Sequence, residues 1–551
     1  MEKAGNFGAK VLFFLSPFMG LLFMRWLFDN DLWFILGSGR FVLENGFPYT
    51  EPFTMHENIN FVLEQWLTDV IYWAIYSNFG AEVFLTFVFF IGFCMLFVYE
   101  KICRYLTNGN IAVSKVATLV VGVFVVPNFL LTRPQILSTL VFLGEIFVLL
   151  KYAKTNDKKY LIAIPVFSLL TVNLHCAVWP LIFILMLPFF AAFLARRYTK
   201  IDSGYLGEEF DVKPLIFAAI ASFFVALLNP YGTKAMFFLF TSYDPGIHGW
   251  ISEIKPPTFE KNFRFFFIIL FFGFFTLAKK KIPLYLILLF LGLGLLGLMS
   301  IRNIFWFYMM GTLIFPFALK NYRFKLFQTE LGFYKILPFI LFYFFIFYRF
   351  FSMETLNPMP IIYMVYFACL FISLAFLALF YKADDRIKKA KGFLIVILPS
   401  LIFIHLSFQS MYSASDYKYE RFKDTVDLLL AENDIKDIRL FTGFNTGSYF
   451  EFRGLRCYID GRPEIFAPKN SGLAFNIIGE YYDVVEGTVN YKDFIKKYNF
   501  THLLVDKGDG MLFYLTPYDE DLILICEEID EKGWIYGVAG EVYARLYKVK
   551  K

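Results

Sequence analysis

The sequence lacks the patterns that mark many soluble enzymes. No group of cysteine and histidine residues has the spacing of a zinc site, and there is no glycine-rich loop of the phosphate-binding type. Charged residues make up only 18% of the chain, whereas soluble domains carry roughly 25%. No internal repeat is present. These absences give no indication of nucleotide chemistry, of a zinc-stabilised fold or of a soluble globular protein.

Apolar sequence is abundant instead. The chain is 58% hydrophobic and 21% aromatic, with 75 phenylalanines, and its apolar runs near the length of a bilayer crossing recur from residue 11 to residue 409. We therefore predict a polytopic α-helical membrane domain over residues 1–409 and a separate α/β domain over residues 410–551. About thirteen transmembrane helices are expected, near 11–28, 83–99, 115–131, 135–150, 160–172, 177–195, 214–228, 263–278, 282–299, 304–319, 336–350, 360–381 and 393–409.

Lysine and arginine predict the orientation of these helices. With the N-terminus in the cytoplasm, the predicted inner segments hold 25 of these residues and the predicted outer segments hold 8. An odd number of spans then places residues 410–551 outside the cytoplasm. We expect a multi-pass protein of the plasma membrane, whose net charge of +5 reflects this orientation and not a nucleic-acid partner.

The predicted first outer loop, residues 29–82, opens with Asp29 and Asp31 directly after the first span. Apolar residues at helical spacing over 31–45 predict a helix that lies in the membrane interface. Two structural explanations stand beside a catalytic one. Asp29 follows Arg25 by four residues, which is the helical pairing distance, and Asp31 has the position of a helix cap.

Further polar residues lie on the same predicted side of the membrane. The end of the first outer loop brings Glu64 and Gln65 back to the bilayer, and the other outer connections contribute Arg133, Asn173, His175, Asn229, Tyr231, Glu253, Arg302 and Asn303. A carboxylate acts as a general base on an acceptor hydroxyl, and arginine or histidine neutralises a departing phosphate. We expect Asp31 or Asp29 as the base and Arg133, His175 and Arg302 at the phosphate. Head-group anchoring remains the alternative for each cation.

Residues 410–551 are predicted as a mixture of helices and strands. Helical periodicity covers 420–432, 474–486 and 491–499, whereas DIRLFTGF (437–444), GSYFEFRG (447–454), RCYIDGRP (456–463) and THLLVDKG (501–508) are predicted as strands, as is much of 521–549. Asp460 and Arg462 are the polar pair of interest. They predict either an ion pair at a turn or a loop that faces the acceptor.

The order of these motifs resembles a known superfamily. DNDLWFILGSGRFVLENGFPYTEPF (29–53) is similar to the first outer loop of GT-C superfamily glycosyltransferases, in particular the bacterial branch related to mannosyl- and aminoarabinose-transferases. RPQ (133–135), NLH (173–175), NPYG (229–232) and YIDGRPEIF (458–466) resemble later blocks of that branch. The resemblance implies that the acidic pair carries the catalytic aspartate.

The sequence departs from that branch at two places. Glu51-Pro52-Phe53 stands where DPF is expected, which is a conservative change. Glu64-Gln65-Trp66-Leu67 stands where His-Glu-Trp-Leu is expected, and this puts in doubt a role for Glu64 as a second acid or a metal ligand.

The resemblance implies an integral membrane glycosyltransferase. It would move a sugar from a polyprenyl-phosphate-linked donor to a glycan, lipid or protein acceptor at the outer face of the lipid bilayer. A divalent cation, Mg²⁺ or Mn²⁺, is left open as a cofactor. Two other classes stay open, a transporter or flippase of lipid-linked glycans and a non-catalytic scaffold with an outer binding domain. Transporters place ionisable groups at mid-membrane, and Glu145 is the main such residue here.

Overall fold

The computed structural model describes residues 16–24, 28–199, 206, 210–242, 251, 253–278, 282–321, 422–432, 434–472, 475–530 and 540–550. Within them, three helical segments are long and apolar enough to cross a membrane, namely Trp66–Leu106, Gln135–Thr155 and Cys176–Tyr198. The predicted spans 336–350, 360–381 and 393–409, part of 11–28 and the predicted boundary at 409/410 lie outside the described residues. The count of thirteen spans therefore stays a prediction.

The helices are numbered here over the described residues. They are α1 (Leu32–Asn45), α2 (Trp66–Leu106), α3 (Ile111–Phe129), α4 (Gln135–Thr155), α5 (Ala163–Leu174), α6 (Leu181–Tyr198), α7 (Lys213–Val225), α8 (Thr233–Met236), α9 (Phe238–Ser242), α10 (Phe259–Ala278), α11 (Leu284–Met299), α12 (Ile304–Met310), α13 (Ile314–Ala318), α14 (Lys423–Glu432), α15 (Gly447–Phe452), α16 (Pro463–Phe466), α17 (Pro468–Ser471), α18 (Ile477–Val485), α19 (Tyr491–Tyr498) and α20 (Gly510–Leu515). A 3₁₀ helix, Ser16–Phe23, precedes them.

The chain divides into two compact units, of which the smaller contains residues 16–24, 92–130 and 312–321 of the described part. In this unit the 3₁₀ helix packs along α3. A Cβ added to Gly20 would lie 2.6 Å from the carbonyl carbon of Gly122. The two backbones meet this closely because neither residue has a side chain, as is common between membrane helices.

The larger unit contains the described residues of 28–91, 131–311 and 422–550. Its apolar helices are joined by internal hydrogen bonds, since a bilayer offers no other partner. The indole nitrogen of Trp179 donates to Ser168 Oγ at 2.7 Å, and the Ser168 hydroxyl donates to the backbone oxygen of Ser222 at 2.8 Å. These bonds link α5 to α7 and to the segment before α6.

Helix α1 corresponds to the helix predicted over 31–45. Its buried face includes Leu32, Ile35, Leu36 and Gly39, at the spacing of an amphipathic helix. A Cβ on Gly39 would come within 2.1 Å of the backbone oxygen of Asp69 in α2. The absence of a side chain at this position therefore allows α1 to rest directly on the first turns of α2.

The C-terminal part contains a four-stranded sheet in the order β1-β2-β4-β3. The strands are β1 (Leu440–Phe441), β2 (His502–Asp506), β3 (Leu522–Asp530) and β4 (Glu541–Val549). β1 pairs parallel with β2, and β4 pairs antiparallel with both β2 and β3. Every residue of β2 is buried, as expected for a strand covered on both faces. The helices predicted over 420–432, 474–486 and 491–499 and the strands predicted over 437–444, 501–508 and 521–549 are thus present in the described residues, although β1 covers only two residues.

Two predicted strands are wrong. Residues 447–452 form helix α15, in which Tyr449 and Phe452 contact Trp33 of α1 while Phe450 contacts Phe422. Because this segment is buried on more than one side, its sequence lacks the polar–apolar pattern that distinguishes a helix from a strand. RCYIDGRP contains no strand, and only Cys457 forms an isolated bridge, to Leu440.

Candidate functional site

One cavity of about 270 Å³ collects most of the predicted polar residues. Its polar wall consists of Asp31, Glu64, Gln65, Arg133, Gln135, His175, Arg302, Asn303, Arg462 and Glu464. Its apolar wall includes Phe34, Ile35, Val178, Leu181, Ile184, Leu239, Leu296 and Trp306. All of these residues belong to the larger unit. The cavity therefore places a charged surface directly beside a hydrophobic one.

Arg133 lies at the centre of the acidic side chains. Its Nε donates to Asp29 Oδ1 at 3.2 Å, its Nη2 is 3.1 Å from Asp31 Oδ2, and its Nη1 donates to Glu253 Oε2 at 3.1 Å. The position of Arg133 just before α4 is held by the Tyr72 hydroxyl, which donates to the Arg133 backbone oxygen. Each nitrogen of the guanidinium is thus used by a different carboxylate.

Asp31 does not act as a helix cap. It precedes α1 in sequence, but its side chain accepts no hydrogen bond from the backbone of the first turn and pairs with Arg133 instead. Asp29 Oδ1 accepts the backbone N–H of Asp31 at 3.1 Å, and the Asp29 backbone N–H donates to Thr132 Oγ1. The suggested partner of Asp29, Arg25, lies outside the described residues.

The Asp31 carboxyl holds its proton to a higher pH than an ordinary aspartate does. Burial raises its pKa to about 7, and the nearby Asp29 and Glu253 act in the same direction. Arg133 opposes the rise, yet its charge is shared among three carboxylates. The Asp31 side chain is 27% exposed and lines the cavity. A carboxyl with a pKa near 7 is suited to general-base chemistry at neutral pH.

Glu64 and Glu464 form a second acidic region of the cavity wall. Burial raises the pKa of Glu64 to about 8, with Glu464 as the next largest cause and Arg302 in opposition. Within the described residues, the Glu64 carboxyl forms no hydrogen bond or ion pair. In its protonated form this group offers a ligand both an O–H donor and an acceptor oxygen.

Arg302 is the more available of the two cavity arginines near Glu253. Its side chain is 56% exposed and contacts Glu253 Oε2 at 3.4 Å. The backbone around it is fixed, because the N–H groups of Ile301 and Arg302 donate to the backbone oxygens of Lys255 and Glu253. The remaining guanidinium donors are therefore directed from a rigid segment.

His175 enters the cavity as a neutral imidazole. Burial, reinforced by Arg302, lowers the pKa of His175 to about 3. Its Nδ1 is 3.3 Å from the Ser138 hydroxyl. The expected cationic contact of His175 with phosphate is therefore replaced by the capacity for a neutral hydrogen bond.

Arg462 anchors the C-terminal part to the first outer loop. Its guanidinium bonds Glu51 at 2.9 Å, Asp460 at 3.0 Å and Glu451 at 3.4 Å, and all four side chains are buried. Glu51 is the residue that replaces the expected aspartate of the DPF motif. The adjacent Gly461 approaches Asp31, since a Cβ there would lie 3.1 Å from Asp31 Oδ1.

Several predicted residues do not line the cavity. Asn173 accepts from the Trp66 indole at 2.8 Å, Asn229 closes its own turn by accepting the Tyr231 N–H, and Tyr231 donates to the Pro48 backbone oxygen. Asp29, Glu253 and Asp460 are also outside the lining and act on it through Arg133, Arg302 and Arg462. These six residues therefore lie outside the lining of this cavity, and a direct role for any of them stays a prediction.

Sequence reasoning missed Gln135, Gly461 and Glu464, which line the cavity. Each lies within a quoted motif, RPQ or YIDGRPEIF, one or two residues from a predicted site residue. Their positions next to Arg133 and Arg462 in the sequence could have indicated that these three residues line the cavity.

A divalent metal does not fit the described residues. No group of three His, Cys, Asp or Glu side chains in this part of the chain is arranged to hold a metal ion. Asp29, Asp31 and Glu253 do converge, but the Arg133 guanidinium lies between them.

The fold is similar to those of solved structures of ArnT and of the archaeal oligosaccharyltransferase AglB, two proteins of the superfamily that the sequence resembles. The solved structures of ArnT from Cupriavidus metallidurans are similar to it, in the apo state with a TM-score of 0.55, 11% identity and coverage of 98% of both chains. The undecaprenyl phosphate complex of ArnT gives a TM-score of 0.51, 11% identity and coverage of 99% of this chain and 98% of that chain.

A second similar structure is the archaeal oligosaccharyltransferase AglB from Archaeoglobus fulgidus, in complex with an inhibitory peptide and a dolichol-phosphate. Its TM-score is 0.52 at 11% identity, over 93% of this chain and 71% of that chain. No family model matches the sequence, and no curated protein is significantly similar to it. At this identity, the likeness establishes the polytopic membrane fold with its C-terminal domain and nothing about chemistry.

Proposed function

We propose that this protein is an integral membrane glycosyltransferase that moves a sugar from a polyprenyl-phosphate donor to an acceptor at the outer face of the plasma membrane. One observation carries the proposal. The Asp31 carboxyl and the Arg302 guanidinium line the same cavity, beside an apolar wall that includes Leu181 and Leu296. A lipid-linked phosphate needs this combination, a cationic surface for the phosphate next to a hydrophobic surface for the chain.

The chemistry follows from the residues of the cavity. Asp31 accepts the proton of the acceptor nucleophile while that atom bonds to the anomeric carbon of the sugar. The bond between this carbon and the phosphate oxygen breaks, and the polyprenyl phosphate leaves with both bonding electrons. Arg302 stabilises the negative charge that develops on the phosphate, with His175 as a neutral donor.

The similarity of the fold to two solved structures supports a lipid-linked phosphate as the type of ligand. Structures of the two similar proteins hold undecaprenyl phosphate or dolichol-phosphate, and both ligands combine a phosphate with a long apolar chain. The residues of the present cavity suit the same type of ligand. The sugar and the acceptor are not specified by this argument.

The test distinguishes transfer from transport. The full chain is reconstituted in vesicles that contain undecaprenyl-phosphate-linked sugars, pentoses and hexoses in turn, together with candidate glycan, lipid and peptide acceptors. A transferase releases free undecaprenyl phosphate and forms a new glycosidic bond. Movement of intact donor between leaflets, without release of undecaprenyl phosphate from any donor, would instead identify a flippase, and binding without either event would identify a scaffold.

A further inference from the structure

Three acidic side chains meet at Arg133, and they come from distant parts of the sequence. Asp29 and Asp31 precede α1, whereas Glu253 lies more than 200 residues later, in the connection before α10. The contacts are 3.2 Å from Nε to Asp29, 3.1 Å from Nη2 to Asp31 and 3.1 Å from Nη1 to Glu253. The fold has therefore assembled a carboxylate cluster around a single planar cation.

Such a cluster needs positive charge at its centre. Carboxylates this close to one another do not all ionise unless a cation lies among them. A divalent ion meets this need at roughly 2.0–2.6 Å from the carboxylate oxygens. A guanidinium meets it with a flat fork of five N–H donors and longer contacts. In this structure the contacts have the longer distances, and each of the three guanidinium nitrogens contacts a different carboxylate.

We propose that Arg133 is a built-in cation that takes the place of a divalent metal ion between Asp29, Asp31 and Glu253. Arg133 is then a positioning residue, which holds Asp31 at the cavity wall while Arg302 remains available to a ligand. Removal of the Arg133 side chain leaves three carboxylates around an open space, and we expect them to move together around Mg²⁺ or Mn²⁺ in that variant. This inference deepens the proposed function and rests on it for its catalytic meaning, but its readout is metal binding.

The test compares the wild-type chain with Arg133→Ala and with a matched control, Arg302→Ala. Each full-length protein is purified in detergent, treated with EDTA and melted with and without MnCl₂, and bound Mn²⁺ is counted by electron paramagnetic resonance. For the wild type and for Arg302→Ala, we expect MnCl₂ to leave Tm unchanged and no Mn²⁺ to be bound. For Arg133→Ala we expect a lowered Tm that Mn²⁺ restores, with one ion bound per chain, because a ligand of the native state stabilises it.

A double variant, Arg133→Ala with Asp29→Asn, assigns the ion to this cluster. We expect it to lose the Mn²⁺ response, since one of the three carboxylates is gone. A purely structural role of Arg133 would lower Tm without creating any response to Mn²⁺.

Two results would overturn the inference. One is stoichiometric Mn²⁺ binding to the wild-type protein with a rise in Tm, which would show that the site uses a metal beside Arg133. The other is an Arg133→Ala protein that shows no Mn²⁺ response, or that cannot be recovered folded even in buffer containing MnCl₂. Sugar transfer is not part of either readout, so failure here is distinguishable from failure of the glycosyltransferase assignment.

Discussion

Asp31 and Asp29 both contact Arg133, but they differ in what else they face. Asp29 Oδ1 is occupied by the Asp31 backbone N–H and by Arg133 Nε. Asp31 lines the cavity, and its Oδ1 lies beside the position of Gly461. The side chain that can reach an acceptor is therefore Asp31, and Asp29 serves to hold it.

The raised pKa of Asp31 predicts the pH dependence of transfer. Below its pKa of about 7 the carboxyl is protonated and cannot accept a proton, so the rate should rise with pH through this value. The measurement is kcat/KM between pH 5 and pH 9 with a fixed donor. The residual rate of Asp31→Asn should lack this limb. A rate that is independent of pH across this range in the wild type would argue against Asp31 as the base.

Arg302→Ala should weaken the use of the donor. A hydrogen bond to a charged group contributes about 1.5–3 kcal/mol, so we expect kcat/KM for the lipid-linked donor to fall roughly tenfold to a hundredfold. Lys255→Ala is the matched control, because Lys255 is an exposed cation in the neighbouring connection that does not line the cavity. Equal effects of the two substitutions would show that only general surface charge matters.

Asp31 directly precedes helix α1, and the close packing of α1 against α2 depends on Gly39. Gly39→Ala would drive a Cβ to 2.1 Å from the Asp69 backbone oxygen, whereas the nearest atoms to a Cβ on Gly37 are at 3.9 Å. We expect Gly39→Ala to lower Tm and reduce transfer because α1 must move away from α2. Gly37→Ala, in the same helix, should behave as the wild type. An unchanged Tm and rate for Gly39→Ala would contradict this packing.

Some helices could be predicted from the sequence pattern, and others could not. Helix α1 was predictable because one of its faces is buried and the other is not. Helix α15 was not, because contacts to Trp33 on one side and Phe422 on another bury it all round. Arg133, His175 and Arg302 could be found from their isolation in short connections. The internal roles of Asn173 and Asn229 could not, since they depend on partners such as Trp66 and on a local turn.

The larger unit is held together around the cavity by buried charge. Arg462 joins Glu51 of the first outer loop to Asp460 and Glu451 of the C-terminal part. A buried cation of this kind is tolerated only with its partners in place. The loop that carries Asp31 and the segment that carries Gly461 are therefore fixed against each other, which no linear motif could have indicated.

The proposed chemistry requires one orientation of the whole molecule. The excess of lysine and arginine in the predicted inner segments predicts that the first outer loop and the C-terminal part lie on the outer side. A periplasmically active reporter fused after Lys551 should be active, and a cytoplasmic reporter at the same point should be silent. The opposite pattern would place Asp31 on the cytoplasmic side and remove the proposed outer-face reaction.

The rate of sugar transfer by Asp31→Asn, beside the wild type, tests the glycosyltransferase proposal most directly. Asparagine keeps the size of the side chain and cannot act as a base at neutral pH. Since a general base contributes about 10²–10⁴-fold, transfer from an undecaprenyl-phosphate sugar should fall by that factor while Tm and binding of undecaprenyl phosphate persist. Transfer by Asp31→Asn at the wild-type rate would contradict the assignment of Asp31 as the base and of this cavity as the active site.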